Sequence, residues 1–280
     1  MFYSTYMIND GEISYSNYNG MDFGTEVKTL DANRFENLFR GNTSITGAVT
    51  FSELTTVGSS SFLNAFSGCT GITSVSFPKL IETPSYGSFA YAFQNCTGLT
   101  SASFAALTHA DTISFSYAFS GCTKLTTISF PNLTSVERYS GGDSSAFQYA
   151  FSGCTKLATS NPFPKLAVAQ SYSMQYAFEN CTSLTTITFP ELTTINGSSA
   201  FNYCFRNCSN LTKVYFPKLT TFKGSTGVAN YMFAGCTKLT EVHFRSDLNS
   251  TQQSNVQMYF MTSMTSSAAN PCNYSILFDL

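Results

Sequence analysis

The chain has 280 residues and a formal net charge of −2 at pH 7, and 11% of its residues are charged, where about a quarter is usual for a soluble domain. This balance lacks the clustered basic charge of proteins that bind nucleic acid or anionic membrane surfaces. No apolar run approaches the roughly 20 residues of a membrane-spanning helix, and a hydrophobic content of 43% argues against disorder. We therefore expect a folded protein with no nucleic-acid partner and no membrane insertion.

A repeat of about 27 residues extends over most of the chain. Its marker is a cysteine with Phe three residues before it and Leu or Ile three residues after it. Seven cysteines hold this position: Cys69, Cys96, Cys122, Cys154, Cys181, Cys208 and Cys236. A degenerate first copy carries Asn42 instead, and a last partial copy is placed at 259–263. The period is that of leucine-rich repeats, which run from roughly 20 to 29 residues.

Two short elements are predicted in each repeat. Before the cysteine, apolar residues recur at i, i+3, i+4 and i+7, which predicts a helix of about two turns that ends near the cysteine. In one copy these residues are Phe147, Ala150, Phe151 and Cys154. After the cysteine, Ile128 and Phe130 alternate with polar residues and Pro131 follows. This alternation predicts a short half-buried strand that ends at the proline.

The A-F-x-x-C-x-x-L pattern, followed by the strand, Pro and Leu, resembles the BspA-like class of bacterial leucine-rich repeats over about four fifths of the chain. The resemblance implies an α/β solenoid of about eight units, each a strand, a turn and a short helix, in a curved right-handed stack with a parallel sheet. The strand motif I-x-F-P replaces the usual I-x-I-P, and Ser/Gly/Tyr-rich inserts vary in length. These departures leave the implied fold intact but carry over no particular ligand.

Three regions are predicted along the chain. Residues 1–33 form an N-terminal cap, 34–247 the leucine-rich repeat solenoid, and 248–280 a partial repeat with a C-terminal capping strand. Caps are expected because the end of a solenoid otherwise leaves its core and its last strand open to water. The tail sequence Ile276–Phe278 repeats the I-x-F strand pattern, which favours a closing strand there.

The seven repeat cysteines are interpreted as a ladder of buried, reduced thiols. The chain has no C-x-x-C pair, which structural zinc sites commonly contain, and identical neighbours in a stack offer no unique disulfide pairing. A buried thiol is a small apolar group that also donates weakly to carbonyls. We therefore predict no metal and no cofactor. The state of Cys272, which lies outside the repeat register, is left open.

An enzyme is not expected. His109 and His243 are the chain's two histidines, and carboxylates are scattered singly, so no pair suggests general acid–base catalysis. No phosphate-binding glycine loop, G-x-S-x-G elbow or H-E-x-x-H motif occurs. The chain is therefore predicted to be non-enzymatic.

The outward face of the strands, which lines the concave side in leucine-rich solenoids, is the first candidate binding surface. Ser and Thr fill it in most copies, but Lys213, Tyr215, Glu241 and His243 replace them near the C-terminal end. An aromatic ring with directional polar groups suits a sugar or peptide ligand, although solvated end-of-stack residues would give the same pattern. The inserts, rich in Tyr, Ser and Gly, are a second candidate surface.

Two functions remain open. The resemblance implies adhesion, so the first is a recognition protein that binds a cell-surface glycan or protein from an extracellular location on a bacterial surface. Because Met1–Tyr6 shows no Sec-type signal peptide, a phage particle, with the chain as a tail-associated or decoration protein, is a further location. The second function is a purely structural stalk or virion component. In that case virion partners or further copies of the chain would contact its caps.

Overall fold

The computed structural model describes residues 18–24, 27–84, 86–136, 144–223, 227–265 and 273–280. Within these ranges the chain is a parallel-sheet solenoid of about eight turns. One turn, here called a coil, contains a strand of a first sheet, a strand of a second sheet and a run of tight turns, here called the turn ribbon. The predicted repeat solenoid and its parallel sheet are thus confirmed.

Strands of the first sheet occupy the predicted position, and each pairs in parallel with its neighbours. The first group is β1 (Tyr18–Asp22), β3 (Ile45–Thr50), β5 (Gly71–Ser76), β7 (Ser101–Ser103) and β9 (Thr127–Ser129). The second group is β11 (Thr186–Thr188), β13 (Lys213–Phe216), β15 (Glu241–Phe244) and β16 (Ser275–Phe278). Between the groups, one coil has an extra residue before Phe163. Phe130 N–H still donates to the carbonyl of Pro162 (3.1 Å), as Phe104 N–H donates to that of Ser129 (3.0 Å).

A second parallel sheet occupies segments that the sequence predicted as loops. Its strands are β2 (Thr29–Leu30), β4 (Thr56–Val57), β6 (Glu82–Thr83), β8 (His109–Ala110), β10 (Val168–Ala169), β12 (Thr194–Asn196) and β14 (Thr221–Lys223). Single bridges through Ser135 join β8 to β10. Threonines at the start of these strands tie coils together, as Thr108 Oγ1 donates to the carbonyl of Ile81 (3.1 Å). A strand of two or three residues is too short to show alternation in a sequence.

The short helix predicted in each unit is not confirmed, because the segment forms the turn ribbon instead. Ala92 N–H donates to Phe89 O three residues earlier (3.1 Å), whereas Phe93 N–H donates to Ala118 O of the next coil (2.8 Å), and this alternation continues along the ribbon. In an α-helix every amide would bond within its own coil. The ribbon satisfies half of its amides inside the coil and half across to the next one.

Positive φ angles at every fourth residue produce this ribbon. In one coil they fall at Gly87 (67°), Tyr91 (57°) and Asn95 (58°), and the same spacing recurs in the other coils. Each left-handed residue reverses the chain, so the segment never winds into a helix. The side chains at i, i+3, i+4 and i+7 are nevertheless buried, which is why the apolar spacing resembled that of a helix.

Phenylalanine columns fill the core between the two sheets and the ribbon. The rings of Phe77, Phe104 and Phe130 stack at centroid distances of 4.9 Å. In the ribbon, the rings of Phe66 and Phe93 stack at 5.4 Å. These rings are fully buried, so the high Phe content of the chain is core packing.

The structure describes part of each region that was predicted as a cap. Residues 1–17 lie outside the described residues, and β1 and β2 continue the two sheets, with Phe23 stacked on Phe51 at 4.2 Å. At the other end, residues 259–263, predicted as a partial repeat, belong to the helix α1 (Ser250–Thr265). Phe260 of this helix packs edge-on against Phe244 (5.1 Å), so α1 covers the core of the last coil. The tail forms β16, which pairs with β15.

Candidate functional site

The four residues predicted as a binding site lie side by side on the first sheet. The parallel register places Lys213 of β13 beside Glu241 of β15, and Tyr215 beside His243. Because side chains alternate along a strand, the intervening Val214 and its partner on β15 point inward and are buried. Two outward rows result, and β16 adds one more residue to each.

A chain of polar contacts joins these residues to a fifth one, Asp279. Lys213 Nζ lies 2.8 Å from Glu241 Oε2, and the same oxygen lies 2.9 Å from His243 Nε2. His243 Nδ1 lies 2.9 Å from Asp279 Oδ1. We call Lys213, Tyr215, Glu241, His243 and Asp279 the end cluster. Asp279 was missed in the sequence, although the tail I-L-F-D aligns with V-H-F-R and so places it opposite Arg245.

His243 is the buried centre of the end cluster. It is 7% exposed, and its ring stacks on that of Tyr215 at 4.7 Å with an interplanar angle of 16°. A neutral imidazole donates from one nitrogen only, so both carboxylate contacts are donations only when the ring is an imidazolium. The groups open to a ligand are Lys213, Glu241 and Asp279, whose side chains are 41%, 31% and 49% exposed.

Charge pairing keeps the exposed part of the end cluster ionised. The hydrogen bond to Glu241 and its charge raise the pKa of Lys213. The hydrogen bonds from Lys213 and His243 lower the pKa of Glu241. A raised lysine pKa and a lowered carboxyl pKa both widen the pH range in which the pair is charged. The end cluster therefore presents fixed charges at neutral pH.

An open groove of about 470 Å³ adjoins the end cluster. Its lining residues are Thr193, Pro217, Lys218, Thr220, Arg245, Ser246, Asp247 and Leu280. Arg245 contacts Asp247 through two nitrogens, with Nη2 2.6 Å from Oδ2, and Lys218 pairs with Glu191 at 2.7 Å. The pairing raises the pKa of Arg245 and lowers that of Asp247. Charged side chains thus continue from the end cluster into the groove.

The outward positions of β5, β7, β9 and β11 carry Ser or Thr, and a neighbouring row of threonines hydrogen-bonds one coil to the next. Thr100 Oγ1 donates to Thr73 O (2.8 Å), and Thr126 Oγ1 donates to Thr100 O (3.0 Å). These threonine hydroxyls donate their hydrogen bonds to backbone carbonyls of the adjacent coil. The C-terminal coils are where the first sheet instead presents charged and aromatic groups.

The seven repeat thiols lie in the core and are not part of this surface. All are reduced and buried. Each donates to the carbonyl of the repeat Phe one coil earlier, as Cys122 Sγ does to Phe93 O (3.1 Å). That carbonyl also accepts the amide of Cys96 (3.1 Å). The thiol therefore adds a second hydrogen bond to an oxygen that is already paired.

We expect the repeat thiols to resist alkylation and disulfide exchange in the folded protein. Burial raises the pKa of Cys69 to about 12 and that of Cys96 well above its usual value, so the reactive thiolate is scarce at pH 8. In a Cys272→Ser variant, Ellman's reagent should label no thiol of the native protein within minutes. In guanidinium chloride it should label all eight remaining cysteines. Rapid labelling of two or more native thiols would contradict the buried ladder.

No group of three or more His, Cys, Asp or Glu residues suited to a metal ion occurs among the residues that the structure describes. In the same ranges, no helix has the length and apolar character needed to cross a membrane.

Repeating coils with stacked parallel strands define a solenoid of the leucine-rich repeat type. The sequence matches the family described as "BspA type Leucine rich repeat region", with 6 copies, over residues 4–90, 35–146 and 143–255. The chain therefore belongs to this family, and the predicted resemblance is confirmed. Leucine-rich repeat proteins generally bind proteins or mediate adhesion and are typically non-enzymatic scaffolds. The BspA-type family is typically surface-associated.

Solved structures similar to this chain are also bacterial leucine-rich repeat proteins. A leucine-rich repeat protein from Bacteroides ovatus is 16% identical, with a TM-score of 0.36, over 92% of this chain and 83% of that one. A leucine-rich repeat protein of T. pallidum is 17% identical, with a TM-score of 0.44, over 86% of this chain and 83% of that one. A search of curated proteins finds no match.

Proposed function

We propose that this protein is a non-enzymatic recognition and adhesion protein whose end cluster and adjoining groove bind a cell-surface ligand, a glycan or a protein. One observation carries the proposal. In β5, β7, β9 and β11 the first sheet presents Ser and Thr, but near its C-terminal end it presents Lys213, Glu241 and Asp279 around a stacked Tyr215. A few convergent polar groups beside a groove are the usual composition of a ligand site.

The residues of the end cluster have different parts in this proposal. Lys213, Glu241 and Asp279 contact the ligand through their exposed charged atoms, and Tyr215 supplies the edge of its ring. His243 is a positioning residue, because it is buried and each of its ring nitrogens lies 2.9 Å from a carboxylate oxygen. Fixing those carboxylates in advance reduces the side-chain entropy lost on binding.

Loss of the exposed charges should weaken binding without unfolding the protein. We expect the double variant Lys213→Ala/Asp279→Ala to bind roughly 10- to 30-fold more weakly, the range set by losing about 1.4–2 kcal/mol at a binding hot spot. The measurement is the binding of fluorescent protein to a glycan array and to a panel of intact bacterial cells. Tyr215→Ala and His243→Ala, alone and together, complete the series.

The matched control is Lys124→Ala, which removes an exposed lysine from a distant coil. It should leave binding unchanged. If the end-cluster variants also bind like the unaltered protein, the proposed site is wrong. Loss of cell binding after protease treatment, with no binding to the array, would indicate a protein ligand. Binding to the array, with cell binding that survives protease, would indicate a glycan.

The proposal places the protein outside the cell, on a bacterial surface or on a phage particle as a tail-associated or decoration protein. The surface association typical of its family supports an extracellular location. Antibody detection on intact cells and on purified phage particles separates the two. Under the structural alternative, the end-cluster variants would bind normally, while changes to α1 or β16 would disrupt assembly with partners.

A further inference from the structure

Six tyrosines form a continuous stack along the outside of the turn ribbon. They are Tyr91, Tyr117, Tyr149, Tyr176, Tyr203 and Tyr231. Their ring centroids are 4.4–4.8 Å apart, with interplanar angles between 2° and 12°. All six are half-buried. We call this row the tyrosine ridge. It lies on a different face of the coil from the end cluster.

The fold itself does not require tyrosine at these positions. Each of the six has a positive φ, where an L-residue with a bulky side chain is disfavoured. In the first two coils Asn37 and Asn64 hold the equivalent position, with φ of 56° and 53°. Asparagine therefore satisfies the backbone there. Six successive tyrosines at a strained position indicate a use for their side chains.

The tyrosine ridge presents ring edges and hydroxyls. The faces of the inner rings are covered by their neighbours at 4.4–4.8 Å, so they cannot stack on a ligand. Because equivalent rings stack nearly parallel, one in each coil, their phenol hydroxyls follow one another along the stack. Burial raises the pKa of Tyr117 and Tyr203, which keeps these hydroxyls neutral over a wider pH range.

Amide side chains flank the tyrosine ridge on both sides. Gln148 Nε2 donates to Gln175 Oε1 (2.5 Å) on one side, and Asn207 Nδ2 donates to Asn180 Oδ1 (3.1 Å) on the other. Glu179 and Arg206 are charged residues close to the ridge, and they form an ion pair with each other at 3.3 Å. In these coils the strip beside the tyrosines is therefore polar and close to neutral.

The repeat distance favours one class of ligand. A peptide advances by about 3.3 Å per residue in a β-strand and by about 3.1 Å per residue in a polyproline helix, so neither places one residue beside each coil at the 4.4–4.8 Å spacing of the rings. A pyranose ring with its glycosidic oxygen has about the length of one coil and offers hydroxyls at every repeat. We propose that the tyrosine ridge binds a linear, uncharged polysaccharide that lies along the axis of the stack.

In this arrangement the phenol hydroxyls and flanking amides hydrogen-bond to the sugar hydroxyls, with one sugar beside each coil. The affinity comes from repetition of the same weak contact, since linked binding units act at a high effective concentration. The rigid stack also leaves little side-chain entropy to be lost when the polymer binds.

The test is affinity electrophoresis in gels that contain hydroxyethyl cellulose or glucomannan, with alginate as the charged comparison. We expect the two neutral polymers to retard the protein more than alginate does. Tyr149→Phe/Tyr176→Phe removes two hydroxyls and keeps the rings, and it should weaken binding at least threefold. Tyr149→Asn/Tyr176→Asn introduces the residue of the first two coils and should weaken it at least tenfold. The control Tyr86→Phe alters a 60% exposed tyrosine outside the ridge and should change nothing.

Three results would overturn the proposal. These are no retardation of the unaltered protein in the neutral gels, equal retardation in alginate, and equal retardation of the Phe, Asn and unaltered proteins. Thermal unfolding of each variant checks that the coils remain folded. Lys213→Ala/Asp279→Ala separates this inference from the proposed function, because that variant should be retarded like the unaltered protein. If it loses retardation while the ridge variants keep it, polysaccharide binding belongs to the end cluster.

Discussion

Replacement of Phe104 by alanine is expected to lower the free energy of unfolding by about 3–5 kcal/mol, the usual range for a buried aromatic ring. The ring of Phe104 is fully buried and stacks between Phe77 and Phe130 at 4.9 Å on each side. The edges of Phe89 and Phe115 meet it at 5.5 and 5.0 Å. Truncation therefore removes contacts in three successive coils. Guanidinium chloride unfolding followed by circular dichroism measures the loss.

Because Phe104 lies between two coils, its truncation should also reduce the cooperativity of unfolding, in addition to leaving a local cavity. Each coil contacts only its neighbours, so a weakened interface between two coils divides the array into two cooperative parts. The denaturation curve should then broaden or show two steps, with a smaller apparent m value. Ile81→Ala, which truncates a 50% exposed side chain, should change the free energy by less than about 0.5 kcal/mol. A loss below 1 kcal/mol for Phe104→Ala would mean that the column is not tightly packed.

The repeat and the first sheet could be predicted because each depends on a pattern within one coil. Ile128 and Phe130 alternate with polar residues, and both side chains are buried in the core. Ile128 lies in β9, whose other two side chains are exposed. The strand ends at Ser129, two residues before the predicted end at Pro131. The residues that lie side by side in adjacent coils could also be predicted, because repeats of equal length stack in register.

The turn ribbon could not be distinguished from a helix by apolar spacing alone. Phe89, Ala92, Phe93 and Cys96 are buried in the ribbon, and the same four positions would share one face of a helix. The distinguishing signal lies in the polar positions. Gly, Tyr and Asn recur at every fourth residue, and Asn and Gly tolerate positive φ. The tyrosine at the middle of that series hid the signal, because tyrosine rarely adopts such a backbone.

The end cluster was predicted in part. Its four residues alternate on neighbouring strands, so their common face followed from the strand period. The burial of His243 depends on Asp279, whose place is set by the pairing of β16 with β15. The I-x-F pattern of the tail predicted the strand, but the contact of Asp279 with His243 depends on the register in which β16 pairs with β15. Sequence reasoning therefore found the face but not which of its groups are open to a ligand.

Substitutions at Asn64 should rank in opposite orders for the turn ribbon and for a helix. Asn64 lies in the middle of the ribbon of the second coil with φ of 53°. At a left-handed position an L-residue with a plain Cβ costs roughly 1–2 kcal/mol, while glycine has no such cost. We expect Asn64→Ala to lower the free energy of unfolding by about 1 kcal/mol. Asn64→Gly should change it by no more than a few tenths.

A helix at the same place would give the reverse result. Alanine is the best helix former and glycine is less favourable by about 1 kcal/mol, so Asn64→Ala would stabilise a helix and Asn64→Gly would destabilise it. The difference in free energy of unfolding between Asn64→Ala and Asn64→Gly therefore has opposite signs for a helix and for a left-handed turn. Systematic errors that affect both variants equally cancel in this difference. The backbone bonds are the same in both variants, because Asn64 N–H donates to Ala90 O (3.1 Å) and Asn64 O accepts from Ser67 N–H (3.1 Å). Urea unfolding midpoints for the two variants decide the question, and a higher midpoint for Asn64→Ala would contradict the left-handed turn.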